Sequence, residues 1–152
     1  MVPKIENYSG VGFMQGRLSP IVDGRIQHFP WKNWREEFAA ASDLGFEIME
    51  WTLDQDFLYD NPLMTDQGQL EINALSEAHG INIASLTGDC FMQAPFWKLH
   101  GKEMQNRKND FISIINACSE IGIRYLVIPL VDEGRIENED QSRAMIEFLY
   151  EN

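Results

Sequence analysis

Three short apolar runs in this 152-residue chain each lead into polar residues able to do chemistry. Val11-Gly12-Phe13-Met14 leads to Gln15 and Arg17. Phe46-Glu47-Ile48-Met49 leads to Glu50 and Trp51, and Ile81-Asn82-Ile83-Ala84-Ser85-Leu86 to Thr87, Gly88 and Asp89. Glu50 can accept a hydrogen bond from a substrate hydroxyl or pair with an Arg, and Asp89 can orient substrate or a neighbouring residue. Arg17 offers a bidentate donor for a phosphate or carboxylate. It can equally pair with Glu50 or Asp89 and neutralise clustered acids. Asp89 also reads as a loop-starter that bonds its own backbone. Trp51 and Phe91 present flat faces suited to the C–H surface of a sugar, whereas Trp31, Trp34, Phe96 and Trp97 read as packing for long loops. Pro129, Asp132 and Glu133 have ordinary turn composition. His28 and His100 fall in loops, His79 at a helix end where a cationic ring suits the helix dipole. No two of these histidines have metal-ligand spacing.

The elements that must position these groups follow a repeated pattern. A helix end, a glycine and an apolar strand occur in turn around Gly45, Gly80 and Gly122, at spacings of 35 and 42 residues. Glycine there takes the left-handed conformation that caps a helix. The spacing is that of one strand–helix unit. Asn33 with Glu36 fits a capping box, and Phe38, Ala41 and Leu44 follow on one face. Asp66 with Gln69 reads as the start of a second helix presenting Leu70, Ala74, Leu75 and Ala78. A third presents Phe111, Ile114, Ile115, Cys118 and Ile121 at offsets 0, 3, 4, 7 and 10. With Val11–Gln15 as a first strand, four βα units result, in a parallel sheet with right-handed crossovers. The apolar strands read as covered on both faces. The loops 16–32, 52–65 and 88–102 are long and aromatic. They leave the carboxyl ends of strands, where such sheets bind ligands. No GxGxxG or Walker A sequence interrupts them.

Several of these stretches resemble a known family. Gly12-Phe13-Met14-Gln15-Gly16-Arg17-Leu18-Ser19-Pro20, Ile26-Gln27-His28-Phe29-Pro30-Trp31 and Trp34-Arg35-Glu36-Glu37-Phe38 are similar to the opening of the sugar phosphate isomerase/epimerase family. Ile48-Met49-Glu50-Trp51 and Ser85-Leu86-Thr87-Gly88-Asp89-Cys90-Phe91-Met92 continue the likeness, and Tyr125-Leu126-Val127-Ile128-Pro129-Leu130-Val131-Asp132 resembles its fourth strand. The resemblance implies a xylose isomerase-like TIM barrel, the (β/α)8 fold. It implies a sugar or sugar phosphate substrate, and a divalent metal (Mn, Mg, Co or Zn) assisting proton transfer next to a carbonyl. In metal-dependent members a Glu, an Asp, a His and a Glu bind the metal from strands five to eight, so no ligand carries over to residues 1–152. The substrate-binding candidates remain those read from the strand ends and loops, Gln15, Arg17, Glu50, Trp51, Thr87, Asp89 and Phe91, with no catalytic residue assigned.

Composition bounds the rest. Twelve Lys and Arg face 24 Asp and Glu, a net charge of -12, which repels nucleic-acid backbones. Residues 1–7 contain no apolar secretory segment, and the longest apolar run, 125–131, is too short to span a bilayer. Cys90 and Cys118 are too sparse for a disulfide framework, which suits reduced thiols in a cytoplasm. A barrel of eight βα units needs roughly 200 residues or more. Residues 145–152 read as a helix still in progress. The expectation is one partial domain, the N-terminal half of a TIM barrel cut in its fourth helix and inactive alone. Alternatives are a half-barrel binding or regulatory module, a homo-oligomer closing the barrel from two copies, or a related dehydratase or hydroxypyruvate isomerase.

Overall fold

The computed structural model describes residues 10–21, 24 and 28–152. Residues 1–7, and Ile26 and Gln27 of the family-like opening, lie outside them. Four strands, β1 (Gly12–Met14), β2 (Ile48–Leu53), β3 (Asn82–Gly88) and β4 (Tyr125–Val127), form one parallel sheet in the order β1-β2-β3-β4. Helices α1 (Glu36–Asp43), α2 (Asp66–His79), α4 (Gly101–Ile121) and α5 (Glu139–Glu151) follow the strands in turn, and a short α3 (Asp89–Gln93) sits in the loop after β3. This is the architecture of half a βα barrel. Gly45, Gly80 and Gly122 all take positive φ, at 78°, 68° and 83°, ending the helices as the repeat requires. The α3 turn leaves no periodic signal in the sequence, because Asp89-Cys90-Phe91-Met92-Gln93 is too short to show a helical period.

Strand register decides what each face does. Met49, Trp51 and Leu53 are fully buried against the helices. The alternate positions Glu50 and Thr52 face the other way, opposite Ser85 and Thr87 of β3. Ala84 has no partner across the pair, and this bulge brings Ser85 level with Glu50. On β4, Tyr125 and Val127 share that second face and are 49% and 43% exposed. The expectation of strands covered on both faces is therefore corrected among the described residues. One face carries the core; on the other, the barrel's inward side, Thr52 and Thr87 are buried and the β4 end, Tyr125 and Val127, stands open.

The core is aromatic and helix-sided. Trp51 packs against Phe29 and Trp34 at 5.5 and 5.8 Å between ring centroids. A second cluster joins Phe91, Phe96, Phe111 and Phe148, with centroids 4.6 to 6.1 Å apart. Each such buried ring contributes about 1.5–3 kcal/mol.

Several helix expectations are corrected. α1 is preceded by Arg35 in helical conformation without a side-chain cap, because the turn at 31–35 already winds helically. Asn33 donates its backbone N–H to Pro30 instead. α2 is capped by Thr65, whose hydroxyl accepts from Gly68 N, and Gln69 Nε2 donates back to Leu63 O. Its buried positions are Gly68 and Ile72, with Leu75 packed partly; Leu70 is 66% exposed, and Ala74 and Ala78 also face solvent. α4 buries Phe111, Ile114, Ala117 and Cys118 as its period demands, while Ile115 turns outward.

Candidate functional site

The carboxyl ends of β1, β2 and β3 converge on a polar cluster. β1 delivers Gln15, whose backbone N–H donates to Glu50 O at 2.9 Å. Its side-chain Oε1 accepts from Thr52 N at 3.2 Å, and Thr52 Oγ1 donates to Gln15 O at 3.3 Å. β1 and β2 are thus stitched beyond their ladder, and Gln15 is buried. On the inward face, half-buried Glu50 accepts from Ser85 Oγ at 2.7 Å and Thr87 Oγ1 at 2.6 Å. These hydroxyls fix its carboxylate, yet two donors leave a carboxylate with acceptor capacity to spare.

Asp89 starts α3 at the end of β3 and is 4% exposed. Its carboxyl is pushed up to about 6, first by burial. The negative charges of Asp54 and Glu50 add to that rise, and the Arg17 guanidinium offsets part of it. Asp89 therefore exchanges a proton near neutral pH, the range a general acid or base needs. Arg17 is an exposed side chain whose field falls on Asp89.

Two residues that organise this site were missed in the sequence. Asp54, 3% exposed, accepts from Phe29 N at 3.0 Å and Gln93 Nε2 at 2.9 Å. His28 Nδ1 lies 3.2 Å from its Oδ2, the distance of an ion pair at an angle short of a hydrogen bond. Gln93 accepts in turn from Gln55 N at 2.7 Å. Asp54 thereby ties together the loops after β1, β2 and β3. A period of two from Glu50 through Thr52 would have found it. Glu37, on α1, is 1% exposed and takes Gly16 N with both oxygens, at 3.0 and 2.9 Å, and Leu18 N at 3.0 Å. Burial raises its pKa against the lowering effect of these N–H groups. Its signal is an acid three residues after Trp34 in an apolar helical stripe.

The remaining candidates sit elsewhere. Trp51 lies fully buried on the helix side, its indole N–H donating to Asn61 Oδ1 at 3.2 Å. Phe91 is 5% exposed and stacks on Phe111; a Cβ at Gly88 would strike its ring, so glycine is required there. The structure thus brings together Gln15, Arg17, Glu50, Thr87 and Asp89, and places Trp51 and Phe91 in the core.

A model of the xylose isomerase-like TIM barrel matches residues 38–151. The chain belongs to this family. The match takes in Glu50, Thr87 and Asp89 and begins after Gln15 and Arg17. No curated protein matches the chain. The xylose isomerase-like family includes sugar isomerases and epimerases, and its members often use divalent metals. Among the described residues no group of three His, Cys, Asp or Glu could hold one. Asp54 is spoken for by Phe29, Gln93 and His28, and Glu50, though it has acceptor capacity to spare, has no set of further ligands grouped with it, so these residues do not fit a metal. The thiols are no alternative: burial drives Cys90 upward and pushes Cys118 up to about 12, leaving both un-ionised. No helix among the described residues is long and apolar enough to cross a membrane.

Proposed function

We propose that this chain is the substrate-positioning half of a sugar or sugar phosphate isomerase or epimerase. The observation that carries the reading is the convergence of Glu50 and Asp89 from adjacent strand ends, with Asp89 titrating at about 6. Isomerisation and epimerisation both remove a proton next to a carbonyl and return it, and a carboxyl titrating near neutrality suits either half of that exchange. Glu50, fixed by Ser85 and Thr87, accepts from a substrate hydroxyl with its remaining lone pairs. Arg17 balances charge beside Asp89. Asp54 and Glu37 act at one remove, holding the loops that carry these groups.

Among the described residues β1 and β4 each pair on one side only and Tyr125 and Val127 of β4 stand exposed, so further strands close the barrel to which turnover belongs. Any divalent metal takes its ligands outside the cluster described above, and the buried reduced cysteines suit a cytoplasmic setting. The test is an assay of the complete protein on a panel of ketoses and ketose phosphates, with and without a chelator. Interconversion of one of them is expected, with kcat/KM at least about tenfold lower in Glu50→Gln, the loss of one hydrogen bond to a charged acceptor. No interconversion across the panel, or an unaffected Glu50→Gln enzyme, overturns the reading.

A further inference from the structure

We infer that the groove beside Phe57 takes a second sugar ring, so that the substrate is a ketose carrying a glycosyl group, an inference that rests on the isomerase reading above. Phe57 carries it. In the loop after β2 its backbone is left-handed, with φ 58° and ψ 32°, and the residue is 70% exposed. That conformation costs a bulky residue free energy, and an exposed ring gains little from the core in return. The ring stands edge-on to Trp31 of the loop after β1, with 6.2 Å between centroids. Phe57 and Asp60 line two cavities, one of 310 Å³ shared with Trp31 and one of 600 Å³ reaching to α4. Small-molecule sites have such volumes, about 300–1,000 Å³.

The walls select a neutral, hydroxylated ring. Phe57 and Trp31 offer aromatic surface suited to the C–H face of a sugar. Gln55 and Asn106 bring side-chain amides that both donate and accept, and Asp60 only accepts. A hydroxyl satisfies either kind of partner. An anion does not suit this wall, because its cation, Arg107, is already held by Asp110 Oδ2 at 2.7 Å. Tyr59 Oη donates to the other oxygen of Asp110 at 2.6 Å, fastening the loop after β2 to α4.

The groove begins where the strand-end cluster stops. Gln55 directly follows Asp54, and its backbone N–H donates to Gln93, the amide whose Nε2 donates to Asp54. Trp31 packs edge-on against Phe29 at 4.8 Å, and the Phe29 N–H donates to the same carboxylate. Asp54 in turn acts on Asp89 through its charge. A ring attached to a ketose at Glu50 and Asp89 therefore has this groove as its neighbouring surface.

The experiment is calorimetric titration of the complete protein with D-fructose and three glycosylated forms of it, maltulose, lactulose and isomaltulose, alongside turnover of all four. At least one disaccharide is expected to bind about tenfold more tightly than D-fructose. Phe57→Ala should lose that preference and Phe57→Tyr should keep it, while both bind D-fructose as the wild type does. Equal or tighter binding of D-fructose, or a preference that survives Phe57→Ala, overturns this inference and leaves the isomerase reading intact. Self-association in a sedimentation run, abolished by Phe57→Ala and without any disaccharide preference, assigns the groove to a second copy and overturns it too. Binding of none of the four overturns this inference, and overturns the isomerase reading as well if the panel of ketoses and ketose phosphates is also left unconverted.

Discussion

The hydroxyl clamp on Glu50 gives the sharpest test of how the site is held. Thr87 is 4% exposed, and its Oγ1 donates to Glu50 Oε1 at 2.6 Å, while Ser85 holds the other oxygen at 2.7 Å. Thr87→Val keeps the β-branch, the strand preference and nearly the volume, and removes only the donor. A hydrogen bond to a charged group contributes about 1.5–3 kcal/mol. Glu50 keeps some solvent, so the lower end applies: Thr87→Val should lower the unfolding free energy by about 1.5 kcal/mol. Glu50→Gln should cost about 1 kcal/mol, since a neutral amide makes a weaker acceptor. Because the two changes remove the same contact, the double variant should fall short of their sum by about 1 kcal/mol. Urea unfolding at pH 7 of the four proteins, with unchanged m-values, measures this directly. Additivity within about 0.3 kcal/mol would refute the claim that Thr87 positions the carboxylate.

Other outcomes follow from the same structure. Gly68→Ala ought to stabilise a helix by about 1 kcal/mol on propensity alone. A Cβ there would lie 2.5 Å from Pro62 Cα and 2.6 Å from its carbonyl carbon, so overpacking wins. The net loss should be about 2 kcal/mol, a fall of about 4–8 °C in melting temperature, and a melting point at or above wild type contradicts it. Asp89 titrates higher in the folded chain than its ordinary 3.8, so the folded state holds that proton more tightly and the group's stabilising contribution, full at low pH, is lost as pH rises from about 4 to 6. Asp89→Asn should therefore be more stable than wild type at pH 7 by about 2–3 kcal/mol and gain little at pH 3.5, read from unfolding curves at both pH values. Trp51→Phe leaves a gap beside Phe29 and Trp34 and strips a donor from Asn61, which should cost about 2 kcal/mol in the same urea assay.

Much of this was legible in the residues. Gly45, Gly80 and Gly122 mark helix ends because only a left-handed residue fits there, and the parallel order of strands follows from their spacing. Gln15, Arg17, Glu50, Thr87 and Asp89 were readable as strand-end polar groups, and the structure does bring them together. Trp51 and Phe91 misled because an aromatic next to a polar strand end looks like a sugar platform, whereas a strand's period of two sends Trp51 to the face opposite Glu50. The burial of Asp54 and Glu37 depends on which loops fold over them, which local pattern does not record. The exposed Leu70, Ala74 and Ala78 of α2 misled likewise. An apolar stripe says which face is greasy, but here Gly68 against Pro62 sets the rotation of the helix.

Proton transfer next to a sugar carbonyl can be followed by proton NMR of a ketose incubated with the complete protein in deuterium oxide. The signal of the hydrogen on the carbon beside the carbonyl should decay as solvent deuterium replaces it, faster at pH 7 than at pH 5 as Asp89 loses its proton around 6. A converted product that retains the original hydrogen, or no exchange at either pH, would contradict it.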